Sequence, residues 1–570
     1  MKTHFLASLS LCAILLSLCP RSVWAVPDDG HGAPGGRLAE VTDDGPALVV
    51  ERFADAPMVK NITAICFDEK GALYVAETYR FRHGIEDNRD HRYWLMDDVK
   101  SETVADRRAM YDKWIGSFPS PAYFTENIDR VLRLRDTNGD GKADESVVFA
   151  EGFNDAVDGP LIGLIAGTPG SGKIYATCIP HLWELTDADG DGKAEAKVSL
   201  QEGFGPHVSL SGHDLHGLAW GPDGKLYFSL GDRGFNLKTK EGRALKDLNS
   251  GAAFRCNPDG SELEVYYHQL RNPQELAFNE YGDLFTVDNN SDQGDQSRII
   301  YLIEGGNAGW IAGNQNLTTF ADDIEAGGLG EKPFWLTEDL WKPRFEGQAA
   351  WILPPAFNLT NGPSGLVFDS GLSLPERYRN HFLICDYKGS AAQSALYSFK
   401  VEREGGGYAV RDPHLFHKGV TNTDVDLGPD GKIYLADYGG GWQLPGVGTV
   451  FTLSVAETIG AEIVGETRAI LEKGFGGLAV EALVNFLAHP DKRVRQGSQF
   501  ELASRGAASA GIFAKVASGD GDLFARLHAI WGLRQLKAAE ALRPLLDSGE
   551  AEIRAQEAEK EARARDQGAA

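Results

Sequence analysis

Short runs of alternating hydrophobic and polar residues recur between residues 64 and 437, and each pair of runs encloses a tight turn rich in Asp, Asn and Gly. The clearest copies run from Ala64 to Glu77, from Leu218 to Asp232, from Leu276 to Asp288 and from Val425 to Asp437. Alternation is typical of strands with one buried face, and glycine in the turn suits a hairpin with a bulge. The pattern predicts a succession of β-hairpins.

Two further units complete the series. One runs from Ser364 to Asp386 with a longer turn, and a weaker one runs from Leu161 to Thr177. Six units of roughly 65 to 70 residues suit propeller blades with insertions, whereas a β-sandwich needs shorter and more even spacing. We therefore expect a mainly β fold, a six-bladed β-propeller over residues 26–455, with seven blades as the alternative.

Segment 78–126 interrupts the repeats between the first two units. It is rich in charged and aromatic residues and carries a helical pattern around Val99 to Trp114. Loops that leave a rigid scaffold often carry function. The segment is predicted to cover one face of the propeller.

The periodicity changes after Val455, where apolar residues take helical spacing, as in Leu478 to Leu487 and Leu523 to Leu536. Paired helices joined by short turns are typical of HEAT or armadillo repeats. Residues 456–570 are predicted to form a short helical repeat that contacts a protein partner. The charged tail from Ala551 to Ala570 is expected to fray.

The first 25 residues have the pattern of a secretory signal peptide. Lys2 and His4 precede an apolar run from Phe5 to Leu18, and Val23 to Ala25 resembles a cleavage site. That run is too short to span a membrane, and no later stretch is long enough. We expect a periplasmic or secreted protein without a transmembrane span.

Charge and cysteine content narrow the partners. The formal net charge of −26 argues against nucleic acid and favours a cation or a neutral polyol. Four of the six cysteines lie after the predicted signal, and no C-x-x-C motif is present, which argues against a zinc ribbon or a c-type haem site. One or two disulfides and buried free thiols both stay open.

Acidic residues follow the second strand of five of the predicted hairpins. They are Glu77, Asp232, Asp288, Asp386 and Asp437. If these strands lie near the propeller axis, the carboxylates gather at one mouth of the channel, where a cation or hydrogen-bond donors must offset their repulsion. The alternative is that each carboxylate caps its own turn.

Two loops have the spacing of calcium loops, with oxygen-bearing residues at positions 1, 3, 5 and 9 and glycine at position 6. The residues are Asp136, Asn138, Asp140 and Asp144 in one loop, and Asp187, Asp189, Asp191 and Glu195 in the other. Position 12 is Val147 or Val198, so neither is an EF-hand. The two hypotheses are structural calcium sites and hairpin turns that need no metal.

Candidate chemistry clusters just before two hairpins. His213, Asp214 and His216 offer imidazoles and a carboxylate that could provide a general base, bind a metal or form a buried polar cluster. Arg271 and Asn272 offer a forked donor and an amide, which suit a carboxylated or quinone ligand. The loop after the next strand pair, with Asn289, Asn290 and Ser291, offers oxygen atoms to calcium.

Several phrases together carry a family resemblance. They are LRNPQELAF, GGNAGW, PSGLVF and HGLAWGPDGKLYFSLGD. With them the chain resembles the soluble PQQ-dependent glucose/sorbosone dehydrogenases, which are six-bladed propellers with PQQ and calcium on one face. It is more closely similar to the bacterial family named for a membrane-bound dehydrogenase, whose members add HEAT-like repeats and a cytochrome c domain.

The resemblance implies roles for particular residues. His213 corresponds to the base that accepts the proton of the sugar hydroxyl, with His216 as a substitute. Arg271, Asn272 and Lys388 correspond to residues that contact PQQ. The calcium beside PQQ falls at about Asn289, Asn290 and Ser291.

Three features depart from the dehydrogenase pattern. Pro160 stands where those enzymes have an active-site Gln, and Thr421 and Thr423 stand where two arginines pair with the PQQ carboxylates. Each missing arginine removes a contact worth roughly 1.5–3 kcal/mol. No C-x-x-C-H motif is present. The two alternatives are that the chain is a shortened member of the family, or that its electrons pass to a separate cytochrome c or other acceptor.

The sequence thus favours an exported oxidoreductase of the PQQ and calcium type that oxidises a sugar or polyol hydroxyl. A second hypothesis is a non-catalytic, calcium-stabilised propeller that binds carbohydrate or acts as a scaffold. A third is a calcium-dependent, lactonase-like hydrolase that uses the channel carboxylates and one histidine.

Overall fold

The computed structural model describes residues 41–323, 345 and 355–556, apart from positions 44, 293, 370 and 457. The predicted signal peptide lies outside these residues. Six main antiparallel sheets follow one another around an axis. The first three blades comprise β2 (Ile62–Phe67), β3 (Leu73–Glu77), β4 (Asp129–Arg135) and β5 (Glu145–Phe153); β6 (Gly163–Ala166), β7 (Lys173–Cys178), β8 (His181–Thr186) and β9 (Ala196–Glu202); and β10 (Leu215–Trp220), β11 (Leu226–Leu230), β14 (Gly251–Cys256) and β15 (Glu264–Leu270), with β19 (Gly306–Asn307) at the edge.

The remaining blades follow the same order from the axis outward. They comprise β16 (Pro273–Phe278), β17 (Leu284–Asp288), β18 (Arg298–Leu302) and β20 (Phe357–Asn358); β21 (Pro363–Phe368), β22 (His381–Asp386), β23 (Ala395–Glu404) and β24 (Gly407–Lys418); and β25 (Asn422–Leu427), β26 (Ile433–Asp437), β27 (Thr449–Val455) and β1 (Leu48–Asp55). A separate hairpin, β12 (Phe235–Lys238) with β13 (Ala244–Asp247), leaves the third blade.

The ring is closed by the two ends of the propeller sequence. Strand β1 pairs antiparallel with β27, from Leu48 opposite Val455 to Asp55 opposite Thr449. The six innermost strands, β2, β6, β10, β16, β21 and β25, contact one another in a closed circle. The six-bladed prediction is therefore confirmed, and the seven-bladed alternative is wrong.

The hairpins form because turn chemistry and burial agree. In the first blade, Asp68 accepts hydrogen bonds from the backbone N–H groups of Lys70 (2.9 Å) and Ala72 (2.8 Å), and Gly71 takes the left-handed conformation with φ of 81°. The strands then bury apolar side chains between neighbouring blades, as with Phe228. Burying such a side chain stabilises the fold by about 1.5–3 kcal/mol.

The insertion forms two helices, α1 (Leu95–Lys100) and α2 (Val104–Trp114), where a single helical stretch was predicted. The break falls at Thr103, which caps α2 in a reciprocal bond with Asp106. Buried Arg80 ties the insertion to the propeller by donating to the carbonyl oxygens of Asp155 (2.9 Å) and Asp158 (3.0 Å). A further helix, α3 (Gly313–Thr319), follows the fourth blade's third strand.

The C-terminal region is helical. It contains α4 (Glu462–Lys473), α5 (Val480–Phe486), α6 (Lys492–Ser504), α7 (Ala510–Ala517) and α8 (Leu523–Gln535). Their apolar faces share one core that includes Leu483, Val494, Phe513 and Ile530. Residues 551–556 of the predicted tail are helical, and Ile553 is buried in this core; residues 557–570 lie outside the described part. The assignment to HEAT or armadillo repeats stays a prediction.

The helical domain docks onto the propeller at the end where the inner strands finish. Lys492 donates to the carbonyl oxygens of Phe278 (2.6 Å) and Asn279 (3.0 Å), and Arg493 donates to that of Leu427 (2.7 Å). Lys492 and Arg493 therefore hold the two domains together. Contact with a separate protein stays a prediction.

Two further sequence questions are answered within the described chain. Cys66, Cys178, Cys256 and Cys385 are all buried free thiols, so the disulfide alternative is wrong for them. Among the described residues, no helix has the length and apolarity needed to cross a membrane.

Candidate functional site

The candidate residues meet at one end of the channel. Strands alternate in direction within each blade, so all six inner strands begin at the same end. His213 and Asp214 precede β10, and Arg271 and Asn272 precede β16, which is the neighbouring inner strand. The topology therefore brings together two motifs that lie 58 positions apart in the sequence, at 213 and 271.

His213 forms a buried pair with Asp232. Its Nδ1 donates to Asp232 Oδ1 at 2.7 Å, while that carboxylate also accepts bonds from Trp310 Nε1 (2.9 Å) and Ser209 Oγ (3.2 Å). Burial raises the pKa of Asp232, but His213 and Arg271 outweigh this effect and hold the pKa below its usual value. No hydrogen bond within the described chain occupies Nε2 of His213, so this nitrogen is placed to accept a proton.

Asp214 and His216 were predicted as catalytic residues together with His213. In the structure both are hydrogen-bonded to other groups. Asp214 accepts a 2.6 Å bond from buried Arg233, so it is Asp232 and not Asp214 that orients His213. His216 Nε2 donates to the carbonyl of Gly212 (2.9 Å) and to Asn272 Oδ1 (3.1 Å). Burial lowers the pKa of His216 to about 3, which keeps the ring neutral and structural.

Arg271 lies beside this pair with one nitrogen unused. Its Nε donates to Gln315 Oε1 (3.0 Å), one terminal nitrogen pairs with Asp292 (3.1 Å), and its guanidinium lies 5.6 Å from the centre of a Trp310 ring. The other terminal nitrogen, Nη1, is buried with no hydrogen-bond partner in the described chain. An orphaned guanidinium nitrogen is costly, and an anionic or quinone oxygen would satisfy it.

The floor of the site leaves room only for glycine. A Cβ atom at Gly231 would lie 2.7 Å from the carbonyl oxygen of His213 and 2.8 Å from Asn272 Oδ1. The N–H of Asp232 donates to the carbonyl of Arg271 at 2.8 Å. These contacts join His213, Asn272 and Arg271 into one unit.

The loop predicted to bind calcium is ordered by its own acidic residue. Asn289 N donates to the carbonyl of Asn272 at 3.2 Å, and Ser291 Oγ and N donate to the carboxylate of Asp295 at 2.7 and 2.8 Å. Asn290 Nδ2 donates to the carbonyl of Asp295 at 2.9 Å, and Asn290 Oδ1 is buried with no donor in the described chain. The loop thus presents an oxygen ligand suitable for a cation.

The other positions that the family resemblance relates to PQQ have partners within the fold. Lys388 pairs with Asp386 at 2.9 Å. The Thr421 hydroxyl donates to Asp437, and the Thr423 hydroxyl donates to the carbonyl of Ile62 at 2.9 Å. Neither threonine offers the charge that an arginine would supply at this position.

In the described part of the chain, the five strand-end carboxylates are not among the side-chain groups placed to share a metal ion. Four of them accept bonds from backbone N–H groups that lie just before the inner strand of their own blade: Glu77 from Lys60 (2.6 Å), Asp288 from Asn272 (2.7 Å), Asp386 from Gly362 (2.9 Å) and Asp437 from Thr421 (3.1 Å). The fifth is Asp232, the partner of His213. These hydrogen-bond donors offset the charge of four of the five carboxylates. The donors belong to the segment before the inner strand, so these bonds do not show the predicted capping of each carboxylate's own turn.

The two calcium-type loops lie at the opposite end of the propeller, where they join β4 to β5 and β8 to β9. In both loops the first aspartate orders the turn: Asp136 accepts bonds from Gly139 N (2.7 Å) and Gly141 N (2.8 Å), and Asp187 accepts bonds from Gly190 N (2.7 Å) and Gly192 N (2.9 Å). In the second, the carboxylate oxygens of four side chains lie within 4.8 Å of one another: Asp187, Asp189, Asp191 and Glu195. Their position separates both loops from His213.

The insertion fixes the approach to His213. Buried Asp98 of α1 accepts a 2.6 Å bond from Val208 N, and Asp87 accepts bonds from Ser211 N (2.8 Å) and Oγ (3.0 Å). These two carboxylates order the segment 208–211 and so hold the Ser209 hydroxyl in position to donate to Asp232. The predicted cover is therefore also a support for the site.

Sequence reasoning missed four site residues: Ser209, Trp310, Gln315 and Asp292. Trp310 belongs to the phrase GGNAGW, but its contact with Asp232 spans 78 positions and has no local signature. Asp232 itself was predicted as one of five equivalent carboxylates. Only the fold distinguishes it from the others.

The geometry defines a class of protein: a six-bladed propeller with a buried His–Asp pair beside an arginine at one end of its channel. The matching family is described as a domain of unknown function (DUF7133), and its model covers residues 43–439. The chain belongs to this family.

Comparison with known proteins confirms the resemblance to quinoprotein glucose dehydrogenases. Over 155 residues the chain is 29% identical to quinoprotein glucose dehydrogenase B of Acinetobacter calcoaceticus, covering 23% of this chain and 30% of that protein. The chain thus spans less than a third of the relative's length. Similar solved structures include a glucose dehydrogenase (TM-score 0.44, 17% identity, 73% of this chain and 100% of that one) and PQQ-bound aldose sugar dehydrogenase from Streptomyces coelicolor (TM-score 0.42, 17% identity, 72% and 99%).

Proposed function

We propose that the protein is an oxidoreductase that oxidises a hydroxyl group of a sugar or polyol with a bound quinone cofactor. The observation that carries this proposal is the His213–Asp232 pair beside the orphaned Nη1 of Arg271. A base next to an unsatisfied cationic donor is the minimum needed to deprotonate an alcohol and hold an electron-poor quinone. The sequence similarity to a quinoprotein glucose dehydrogenase supports the same class.

His213 performs the proton chemistry. Its Nε2 accepts the proton of the substrate hydroxyl, while Asp232 holds Nδ1–H and stabilises the imidazolium that forms. Trp310 and Ser209 keep the Asp232 carboxylate in place by their own hydrogen bonds. PQQ, when bound, would supply the acceptor for the hydride that leaves the carbon bearing this hydroxyl.

Arg271 and Asn272 are the residues that would hold the cofactor, and Asn290 would offer an oxygen to its calcium ion. The unpartnered Arg271 Nη1 and Asn290 Oδ1 both fit this role. Thr421 and Thr423 supply no charge, so the cofactor carboxylates lose two ion pairs. We therefore expect PQQ to bind more weakly here than to a site with both arginines, by roughly 1.5–3 kcal/mol for each one missing.

Calcium and export complete the proposal. The carboxylate group of Asp187, Asp189, Asp191 and Glu195 is the candidate structural calcium site, since hard oxygen ligands at this spacing suit that ion. The loop of Asp136, Asn138, Asp140 and Asp144 is its weaker counterpart. Export to the periplasm or medium and electron transfer to a separate cytochrome c or other acceptor belong to the same proposal.

Reconstitution tests the proposal. The purified chain is mixed with PQQ and Ca²⁺, the absorption spectrum of the quinone is followed, and dye reduction is measured with a panel of aldoses and polyols. We expect a spectral shift that saturates with PQQ and sugar-dependent dye reduction. Absence of any spectral change on addition of PQQ would refute the proposal.

One alternative has an observation in its favour. The hydroxyls of Thr421 and Thr423 are bonded within the fold and supply no charge to the PQQ carboxylates, which fits a propeller that binds carbohydrate without this cofactor. Glycan retention without turnover, combined with no PQQ binding, would identify this function. The lactonase hypothesis is less well supported, because four of the five channel carboxylates are bonded to backbone N–H groups.

A further inference from the structure

Blade 5 contains a second cluster of potential ligands, far from His213. His381 opens β22, and Asp412 and His414 lie in β24, with β23 between them. One ring nitrogen of each histidine and one carboxylate oxygen of Asp412 lie within 4.8 Å of one another. The connection from β21 to β22 that precedes His381 belongs to the helical-domain end of the propeller, so this cluster is separate from the proposed active site.

The strand pairing explains why these side chains meet. Ser398 of β23 stands opposite His414, whereas Lys400 stands opposite Arg411, so the register shifts at Asp412 and Pro413. Asp412 takes a left-handed backbone conformation with φ of 46°. This bulge turns the Asp412 carboxylate toward the two imidazoles, and His381 Nε2 lies 3.8 Å from Asp412 Oδ2.

Hydrogen bonds hold both imidazoles beside Asp412. His381 Nδ1 is hydrogen-bonded to Ser398 Oγ at 2.7 Å, and His414 Nδ1 donates to the carbonyl of Asp412 at 2.9 Å. Histidines that bind metals are usually oriented by a hydrogen bond from the other ring nitrogen to a carboxylate, a backbone carbonyl or a water. His381 thus turns its Nε2 toward Asp412 Oδ2, whereas His414 has its Nδ1 at 3.7 Å from Asp412 Oδ1.

One of these nitrogens lacks a partner. His381 is fully buried, and its Nε2 has no hydrogen bond in the described chain. A fully buried acceptor without a donor is unusual in a native protein and points to a ligand.

Two imidazoles and one carboxylate select a class of ion. This set suits borderline divalent metals such as Zn²⁺, whereas Ca²⁺ and Mg²⁺ prefer oxygen ligands alone. The Asp412 carboxylate is 37% exposed and its neighbour Arg377 is 3.5 Å away, so it can turn from that weak ion pair toward the ion. With bonds of about 2.0–2.2 Å the three ligand atoms would draw closer than they are now.

We propose that His381, Asp412 and His414 form a zinc site that pins β24 to β22 in blade 5. The ion would link β22 to β24 at the helical-domain end of the blade, in addition to the backbone hydrogen bonds that each of these strands makes to β23. It does not depend on the proposed redox function, because none of these residues contacts the His213 region in the structure.

Metal titration of the full chain tests this site. The protein is stripped with a chelator, and Zn²⁺ binding is measured by calorimetry, with Co²⁺ absorption as the spectroscopic probe of tetrahedral nitrogen and oxygen ligands. We expect one zinc per chain, a Co²⁺ spectrum and a zinc-dependent rise in the thermal unfolding midpoint. Asp412→Asn and His381→Gln should each weaken zinc binding by at least about 100-fold, since loss of outer partners alone costs about 10–100-fold.

Matched variants separate this site from other metal binding. His417→Gln changes a half-buried histidine of the same strand that lies outside the cluster, and Asp187→Asn disrupts the acidic loop; both should keep the zinc. Asp412→Asn changes a partly exposed residue, so its folding is checked by the unfolding midpoint without metal. The proposal is overturned if the stripped protein binds no zinc, or if Asp412→Asn and His381→Gln both bind it as tightly as the unchanged chain.

Discussion

The two ends of the propeller channel use buried charge in different ways. At the helical-domain end, buried Arg495 pairs with Glu280 and donates to the carbonyl oxygens of His489 (2.6 Å) and Pro490 (2.8 Å). At the other end, His213 and Arg271 each keep a nitrogen without a partner in the described chain. The difference indicates that one end holds domains together, whereas the other end retains donors and acceptors for a ligand.

A substitution at the helical-domain end should have the largest effect on the free energy of unfolding. Arg495→Ala would leave the Glu280 carboxylate buried without its partner, which costs about 3–5 kcal/mol. Urea denaturation of the purified chain measures this loss. The control is Arg468→Ala, whose exposed pair with Glu472 on α4 is worth only about 0.3–0.5 kcal/mol. Equal stability of the two variants would contradict the role given to Arg495.

The contribution of the helical-domain end to stability should also depend on pH. Burial holds the pKa of His528 well below 6.5, and its ring bonds Gln499 at 2.7 Å and accepts from Arg495 at 3.3 Å. Below about pH 6.5 the His528 ring of the unfolded chain takes up a proton, whereas the buried ring of the folded chain stays neutral. The free energy of unfolding therefore decreases as the pH falls below this value.

His528→Gln isolates this contribution, because the other titrating groups are common to both proteins and cancel in the difference. The natural chain should lose up to about 1.4 kcal/mol per pH unit below pH 6.5 relative to His528→Gln. Urea titrations at pH 7, 6 and 5 measure the difference. A constant difference across this range would show that His528 is not held neutral.

At the end of the channel that holds His213, Arg271→Met should weaken PQQ binding. Loss of one charge-assisted donor costs about 1.5–3 kcal/mol, which corresponds to roughly a tenfold to 150-fold increase in Kd. Spectral titration with PQQ in the presence of Ca²⁺ provides the measurement. Arg52→Met, on the exposed outer strand β1, is the control and should bind PQQ as the natural chain does.

The smallest expected effect runs in the opposite direction. Asp292 is about half exposed and pairs with Arg271 at 3.1 Å, so it competes with an anionic ligand for the guanidinium. Asp292→Asn should tighten PQQ binding about two- to fivefold, as expected from the small worth of an exposed ion pair. Weaker binding instead would mean that Asp292 holds Arg271 in its productive position.

The blade count followed from the sequence because each hairpin carries its own turn chemistry. Asp68 with Gly71 illustrates how a local hydrogen-bond pattern and a left-handed glycine fix one unit. The position of β1 was less accessible, since Leu48 meets Val455 only when the ring closes. Likewise, the side chains of Lys492 and Arg493 look like a solvated helix face until the propeller carbonyls beneath them are known.

The candidate site was predicted only in outline. His213 and His216 are three positions apart and look equivalent in the sequence, and what separates them is a partner: Asp232 for one, the Gly212 carbonyl and Asn272 for the other. Asp214 was predicted beside His213 because the two are adjacent in the chain. Its side chain instead turns to Arg233, a contact that depends on strand pairing between β10 and β11.

Turnover of two histidine variants tests the central claim most directly. The chain is reconstituted with PQQ and Ca²⁺, and kcat for dye reduction is measured for His213→Asn and His216→Gln under saturating sugar. Loss of the base should lower kcat by about 10²–10⁴-fold in His213→Asn, whereas loss of a structural hydrogen bond should cost about tenfold or less in His216→Gln. Equal activity of His213→Asn and the natural chain, or a greater loss in His216→Gln, would contradict the account.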